Sequence, residues 1–163
     1  KDFYRKSINI IETNYQINST SNPWNCNVHA YGHGINDDAV EFEDIDYHYL
    51  ADKYTEVMNE FFAEKNILSP FYIPSIWYNY YMKDQYQESH VHEGHYVGVH
   101  FLKYDSQEHE GLLFEDDGLD VPNIKEGDIV IFPSNQSHYV KKSKSSKPRI
   151  TLAFQVNLGV SDV

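Results

Sequence analysis

The sequence has a single cysteine, Cys26, and no apolar stretch that approaches the length of a membrane span. One cysteine cannot form a disulfide within the chain, which is typical of proteins from a reducing, intracellular compartment. A transmembrane helix needs roughly 20 consecutive apolar residues, and the apolar runs here stop far short of that length. Both a disulfide-stabilised scaffold and a membrane-anchored protein are therefore disfavoured.

Positive charge is also scarce: 13 lysines and arginines stand against 25 acidic residues, which gives a net charge of −12 and a pI near 5.0. A protein that grips a phosphate backbone electrostatically needs a basic surface, so a nucleic-acid partner is disfavoured. No signal peptide is visible at the start, and we expect a cytoplasmic protein. The first residue is a lysine within a segment that already looks structured, so we expect N-terminal residues to be missing from the sequence.

The chain of 163 residues, 40% of them hydrophobic, has material for one sizeable core, and we predict a single domain over residues 1–163. Between Asp46 and Lys65, apolar residues recur at three- and four-residue intervals, which predicts an amphipathic helix with one buried face. Residues 1–15 are predicted as a further helix. Together these segments give a helical flank over residues 1–70, interrupted by a short predicted strand at Asn27–Tyr31.

After Pro70 and Pro74 the sequence changes to aromatic and β-branched residues separated by turn formers, which predicts a β core over residues 71–160. Short strands without intervening helices are typical of an antiparallel sandwich or barrel. The fold class is therefore mainly β with flanking N-terminal helices. The predicted core strands are Ser75–Met82, Tyr96–Tyr104, Leu112–Phe114, Asp128–Phe132 and Arg149–Val156.

Among the nine histidines, His90 and His92 are distinguished by their spacing. Side chains on an extended segment repeat every second residue, so both imidazoles project to the same side and can reach one metal ion. Neutral imidazole suits Fe, Zn, Cu or Ni, and a mononuclear site needs at least a third ligand. His138 is the candidate, because it follows an apolar strand that Pro133 ends, and we expect it at the mouth of a sheet cavity.

The last predicted strand carries a candidate anion site. Strand alternation puts Arg149, Thr151 and Ala153 on one face and the apolar side chains between them on the other. An inward-facing arginine needs an anionic partner. A guanidinium offers a planar fork to a carboxylate, to which the Thr151 hydroxyl can add a hydrogen bond; the alternative is an internal salt bridge with an acidic side chain.

Taken together, these motifs resemble the 2-oxoglutarate/Fe(II)-dependent oxygenases of bacteria and marine phages. The resemblance implies a double-stranded β-helix, also called a jelly-roll or cupin-like fold. It also implies Fe(II) as the cofactor, with 2-oxoglutarate and O2 as co-substrates of a dioxygenase, or hydroxylase, that acts on an unknown primary substrate. By resemblance, His90 and His138 hold iron, while Arg149 and Thr151 bind the far carboxylate of 2-oxoglutarate. The segments that carry it are Tyr81–His92, Gly98–Leu102, Gly127–Pro133, His138 and Arg149–Thr151.

His92 departs from the pattern, because most of the superfamily has a carboxylate at this position. We expect a three-histidine site of His90, His92 and His138, with Glu93 as an alternative third ligand if the strand bulges and His95 as a weaker one. Halogenating relatives have a small residue here that leaves room for a halide, so halogenation is disfavoured.

Aromatic residues on the strands beside this segment are candidates to line the pocket, and Tyr81 and Phe101 are predicted to contribute to binding of the co-substrate. Two other function classes stay open. One is a cupin-like protein that binds a metal or a ligand without oxygen chemistry, and the other is an interaction module with structural histidines. The sequence leaves the primary substrate and the oligomeric state open, because substrate choice in this fold depends on variable loops. The pocket candidates are Tyr80, Tyr81, Tyr86, His100 and Phe101.

Overall fold

The computed structural model describes residues 2–14, 29–33, 45–116, 121 and 123–160 of the chain. Two α-helices lie in this part, α1 at Asp2–Asn14 and α2 at Tyr47–Lys65, as the sequence predicts. Neither has the length and apolar composition that a membrane crossing requires. Cys26 and the first two residues of the predicted strand Asn27–Tyr31 lie outside the described residues.

Helix α2 is limited at both ends by capping residues. The Asp46 side chain accepts a hydrogen bond from the backbone N–H of Tyr49, which satisfies a donor that the first turn leaves unpaired. At the other end Asn66 adopts a left-handed conformation, with φ of 56°, and its N–H bonds back to the last turn. Between the caps, every fourth residue is buried, which places one stripe of the helix against the sheet: Leu50, Tyr54, Met58 and Phe62.

The strands form two antiparallel sheets. The large sheet has five strands in the order β1-β2-β8-β4-β6, and the small sheet has three in the order β3-β7-β5. The helices cover one face of the large sheet and the small sheet lies against the other, which gives three layers. The strand bounds are β1 His29–His33, β2 Phe71–Tyr81, β3 Gln87–His90, β4 Tyr96–Lys103, β5 Leu113–Phe114, β6 Ile129–Pro133, β7 His138–Val140 and β8 Arg149–Leu158.

Strand β8 shows how the large sheet separates two cores. Its buried residues Ile150, Leu152 and Phe154 pack in the core beneath the helices. The alternate residues Thr151 and Ala153 point to the space between the two sheets. This is the alternation that the sequence predicts for the strand, and it follows from the two-residue repeat of the extended chain.

The structure also adds elements that the sequence prediction lacks. Strands β3 and β7 are absent from the predicted set, and β1 pairs with β2, so the large sheet includes a strand from the predicted helical flank. Strand β2 begins at Phe71 rather than Ser75, because Pro74 does not end the strand but sits at a register shift between Tyr72 and Ser75. A proline has no N–H to give to a ladder, and such an irregularity accommodates it.

Candidate metal and anion site

The two sheets bring three imidazoles together. His90 ends β3 and is the direct cross-strand partner of His138, the first residue of β7. His92 lies two residues beyond the end of β3. The nearest ring nitrogens of the three side chains all lie within 4.8 Å of one another, and the ring centres are 4.3 to 5.1 Å apart. This arrangement is suited to three nitrogen ligands on one ion.

The alternative ligands do not join this cluster. The side chains of Glu93 and His95 are exposed, and neither belongs to the metal-ligand group formed by the described residues. Nδ1 of His95 instead accepts a hydrogen bond from the backbone N–H of Leu158 at 3.2 Å. The group therefore consists of three neutral ligands and has no carboxylate of its own.

Hydrogen bonds to the backbone orient two of the rings. Nδ1 of His90 lies 2.7 Å from the carbonyl oxygen of Glu88, and Nδ1 of His138 lies 2.9 Å from that of Gln136. Since a carbonyl only accepts, each Nδ1 must carry the proton and donate it. The remaining nitrogen, Nε2, then keeps its lone pair for a metal, which is the usual arrangement of ligand histidines.

Burial keeps these imidazoles neutral. It lowers the pKa of His92 to about 3, with a further contribution from its two histidine neighbours. It likewise lowers the pKa of His138 to about 4 and that of His90 by a smaller amount, against the opposing effect of the carbonyl that each ring faces. Neutral imidazole is the form that binds a metal, so the three rings are ready for one at neutral pH.

Arg149 supplies a buried positive charge at the start of β8. The side chain is 2% exposed, and its Nε and Nη1 atoms are buried without a hydrogen-bond partner. No carboxylate among the described residues forms an ion pair with it. Burial lowers the pKa of Arg149 while Tyr81 raises it, and an arginine stays protonated in proteins. A buried cation with unpaired donors fits an anionic ligand better than the internal salt bridge considered from the sequence.

Two aromatic rings hold the guanidinium of Arg149. Its carbon atom lies 4.6 Å from the ring centre of Tyr81 and 5.4 Å from that of Phe101, which are distances for favourable cation–π contact. The Tyr81 hydroxyl donates a hydrogen bond to the side-chain oxygen of Gln87 on β3 at 2.8 Å. The guanidinium is thus held by two rings of the large sheet, and one of them, Tyr81, is hydrogen-bonded to the small sheet.

One cavity between the sheets joins the three histidines to Arg149 and Thr151. Its empty volume is about 310 Å³ with the solvent at its mouth included. The three imidazoles and the buried guanidinium thus face the same cavity. The lining residues are Trp77, Asn79, Tyr81, Gln87, His90, His92, Val99, Leu112, His138, Val140, Arg149, Thr151 and Ala153.

Several pocket candidates from the sequence lie elsewhere. Tyr80 and His100 face the helices, where Tyr80 belongs to the core and Nδ1 of His100 lies 2.8 Å from the Tyr54 hydroxyl. The prediction that they line the pocket was wrong. Each is adjacent in its strand to Tyr81 or Phe101, and neighbouring side chains of a strand point to opposite faces. Phe101 packs behind Arg149 and does not line the cavity, and neither does Tyr86.

The sequence reasoning missed Trp77 and Asn79, which line the cavity from β2. A signal for them exists, because they lie four and two residues before Tyr81 and therefore share its face of the strand. The ring of Trp77 lies 5.4 Å from that of His92. Asn79 is the direct cross-strand partner of Thr151, so an amide stands beside the predicted carboxylate-binding hydroxyl.

Comparison with known proteins agrees with this geometry. A family model described as "Putative 2OG-Fe(II) oxygenase" matches residues 115–155, a range that includes His138, Arg149 and Thr151. No curated protein matches the sequence significantly.

Solved structures resemble the whole fold. An oxidoreductase of the 2OG-Fe(II) oxygenase family from Burkholderia pseudomallei aligns with a TM-score of 0.59 and 13% identity, over 81% of this chain and 65% of that one. The viral collagen prolyl hydroxylase of Paramecium bursaria Chlorella virus-1, solved with 2-oxoglutarate, gives 0.63 and 14%, over 92% of this chain and 88% of that one. A prolyl-4-hydroxylase from Pseudomonas putida gives 0.63 and 15%, over 96% and 86%.

At this level of identity the structural likeness establishes the fold, and the family model adds a sequence match over His138 and Arg149. The chain thus has the double-stranded β-helix fold of the 2OG-Fe(II) oxygenases, and its resemblance to that family is confirmed.

Proposed function

We propose that the protein is a non-haem Fe(II)- and 2-oxoglutarate-dependent oxygenase. The observation that carries the proposal is the shared cavity, in which three neutral imidazoles and a buried arginine with unpaired donors face each other. A metal site alone would need no buried cation. A cation beside three metal ligands fits a ligand that chelates the metal at one end and has a second carboxylate at the other.

In this proposal His90, His92 and His138 hold Fe(II). Arg149 binds the far carboxylate of 2-oxoglutarate through its Nε and Nη1 donors, with the hydroxyl of Thr151 as a further donor and Tyr81 as the support of the guanidinium. Phe101 takes part from behind, as the second aromatic face on the cation. Bound Fe(II) with O2 supplies the oxidation chemistry, in which 2-oxoglutarate is converted to succinate and CO2 while a primary substrate is oxidised.

The protein's own contribution is to select and orient the co-substrate. Arg149 and Thr151 are 2% and 1% exposed, so a carboxylate that reaches them leaves water behind. In such surroundings a charge-assisted, two-pronged hydrogen bond is strong and directional. It fixes one end of the co-substrate, and the length of the molecule then sets where its other end meets the histidines.

The decisive experiment is anaerobic calorimetric titration of 2-oxoglutarate into the Fe(II)-loaded protein, followed by measurement of succinate and CO2 after air is admitted. We expect binding that requires both the metal and Arg149, and slow release of succinate even without a primary substrate. Proline-containing peptides are the first substrates to add, since two of the structural neighbours are prolyl hydroxylases.

A second candidate is a cupin-like protein that binds a metal or a small ligand without oxygen chemistry. The observation in its favour is the all-histidine ligand set, which lacks a carboxylate. A protein of this kind would bind a metal tightly, and its affinity for 2-oxoglutarate would be the same with and without the metal. It would release no succinate. That result would overturn the oxygenase proposal.

A further inference from the structure

His92 is held in place differently from its two partners. His90 and His138 lie on strands and bond through their rings to backbone carbonyls. The ring of His92 makes no hydrogen bond to any residue that the structure describes, although it packs against Trp77. Its position therefore depends on the backbone of the turn between β3 and β4, residues 91–95.

Ser134, the residue after β6, bonds to this turn at three points. Its carbonyl oxygen accepts from the N–H of His92 at 2.9 Å, and its own N–H donates to the carbonyl of His95 at 3.0 Å. Its hydroxyl donates to the carbonyl of Gly94. Ser134 is 2% exposed, so these bonds form away from water, where an unmade bond is costly.

Strand β8 holds the same turn from the other side. The N–H of His95 donates to the carbonyl of Val156 at 2.9 Å. Gly94 has φ of +85°, and a Cβ at this position would lie 2.3 Å from Oδ1 of Asn157. The turn is therefore tied to both Ser134 and β8, which limits the freedom of the His92 backbone. A side chain at residue 94 would be strained by the positive φ and would displace the ends of the Asn157 and Gln155 side chains.

We propose that Ser134 is a positioning residue for the metal centre, which acts through the 91–95 turn to set the place of the His92 imidazole. The inference rests on the proposed metal site. The hydroxyl contributes by holding the Gly94 carbonyl. Without the hydroxyl, the turn keeps its two backbone bonds to residue 134 but loses the bond at the Gly94 carbonyl. His92 then samples positions away from the metal.

The test is a double-mutant cycle with Co(II) as the probe, because Co(II) is stable in air and its visible spectrum reports the coordination number and geometry of the bound ion. Co(II) is titrated into the native protein, Ser134→Ala, His92→Ala and the double variant. We expect Ser134→Ala to weaken binding about fivefold, the equivalent of about 1 kcal/mol. In the His92→Ala background the same change should have no effect, since a residue that acts through His92 has nothing left to position.

Ser7→Ala is the matched control. Ser7 is also 2% exposed, and its hydroxyl donates to a backbone carbonyl, that of Phe3 in α1 at 3.3 Å. This variant loses a comparable bond far from the histidines, so its Co(II) affinity should match that of the native protein. Gly94→Ala attacks the turn from its other side and should weaken Co(II) binding more than Ser134→Ala.

Each outcome decides the proposal. The positioning role of Ser134 would be overturned if Ser134→Ala weakened Co(II) binding equally in the native and His92→Ala backgrounds, or in neither. If Ser134→Ala does not fold, Gly94→Ala takes its place in the same cycle and is judged by the same outcomes. If His92→Ala itself leaves Co(II) affinity and spectrum unchanged, the three-histidine site is wrong and the proposal for Ser134 falls with it. Failure of the metal site is thereby distinguished from failure of the positioning role.

Discussion

At the scale of single residues, Arg149 is the clearest test of the co-substrate. Arg149→Lys keeps a positive charge but loses the planar fork, so the 2-oxoglutarate concentration for half-maximal binding should rise. Arg149→Ala removes the charge and should cost on the order of 2–5 kcal/mol of binding free energy, as expected for a buried, hydrogen-bonded ion pair. Calorimetric titration of 2-oxoglutarate into both Fe(II)-loaded variants measures the two effects.

The metal affinity of these Arg149 variants is the internal control. Co(II) or Fe(II) binding should be nearly unchanged, because the guanidinium is not a ligand. Co-substrate affinity equal to that of the native protein in both variants would mean that Arg149 is structural, and the cupin-like binding protein without oxygen chemistry would then be favoured.

His92 and Glu93 can be separated as candidates for the third ligand by substitution. His92→Ala should reduce the bound metal about as much as His90→Ala, whereas Glu93→Ala should leave it unchanged, because the Glu93 side chain is exposed and outside the cluster. Metal content of the purified, Fe(II)-reconstituted variants by elemental analysis decides between them. A larger loss in Glu93→Ala than in His92→Ala would reverse the assignment.

The residues of the site could be predicted from sequence to the extent that they follow strand parity. His90, His92, Arg149 and Thr151 were placed by a two-residue repeat, and they face the cavity. His138 was placed by its position after the apolar strand that Pro133 was expected to end, and the resemblance supported that choice. His100 was predicted on the wrong face of β4. It is adjacent to Phe101 in the strand, and neighbouring side chains of a strand point to opposite faces, so the two could not both face the space between the sheets.

At the scale of secondary structure, the contact of α2 with the large sheet depends on the absence of a side chain at Gly98. A Cβ there would lie 2.1 Å from the ring of Phe154 on β8, and that ring is stacked on Tyr54 of α2 at 4.3 Å. The ring is fully buried and cannot move into solvent, so Gly98→Ala should lower the free energy of unfolding by about 1–3 kcal/mol, as overpacking of a core does.

Urea denaturation of Gly98→Ala measures this loss, and Gly111→Ala is its control. The nearest atoms to a Cβ at Gly111 are 3.6 Å away, which is ordinary contact, so that variant should keep the native midpoint within error. An unchanged midpoint for Gly98→Ala would show that the helix and Phe154 adjust together at little cost.

Secondary structure was predictable where the pattern of apolar residues was long. Helix α2 and strands β4 and β8 were found within two residues of their observed ends because each buries a regular face. Strands β3 and β7 were missed for a physical reason: Gln87–His90 has only polar side chains, and His138–Val140 has three residues. Their pairing comes from the surrounding fold and not from local preference.

At the scale of the whole molecule, His100 links stability to pH. It is 9% exposed, its Nδ1 bonds with Tyr54 of α2, and burial lowers its pKa to about 4. In the unfolded chain a histidine takes up its proton near pH 6.5, whereas His100 in the folded protein does so only near pH 4. The free energy of unfolding should therefore fall as the pH decreases from about 6.5 to 4, by at most about 3 kcal/mol from this residue.

His100→Asn isolates this contribution, because asparagine can accept the Tyr54 hydrogen bond but does not titrate. The variant's free energy of unfolding should decrease less than that of the native protein between pH 7 and 4, when both are metal-free and measured by urea denaturation. Parallel pH profiles would show that His100 gains its proton in the folded state as readily as in the unfolded one.

Strand β8 has one further consequence, for how the chain can vary in length. Because Arg149 and Thr151 face the cavity while Ile150 and Leu152 face the helices, an insertion of one residue at the start of the strand would exchange the two sets. The cation would then be aimed at the helices and an isoleucine at the cavity, so the packing of the core and the proposed binding of the co-substrate would be lost together. Variation in length near β8 is thus confined to the loops that flank it, while the strand itself can change only by substitution.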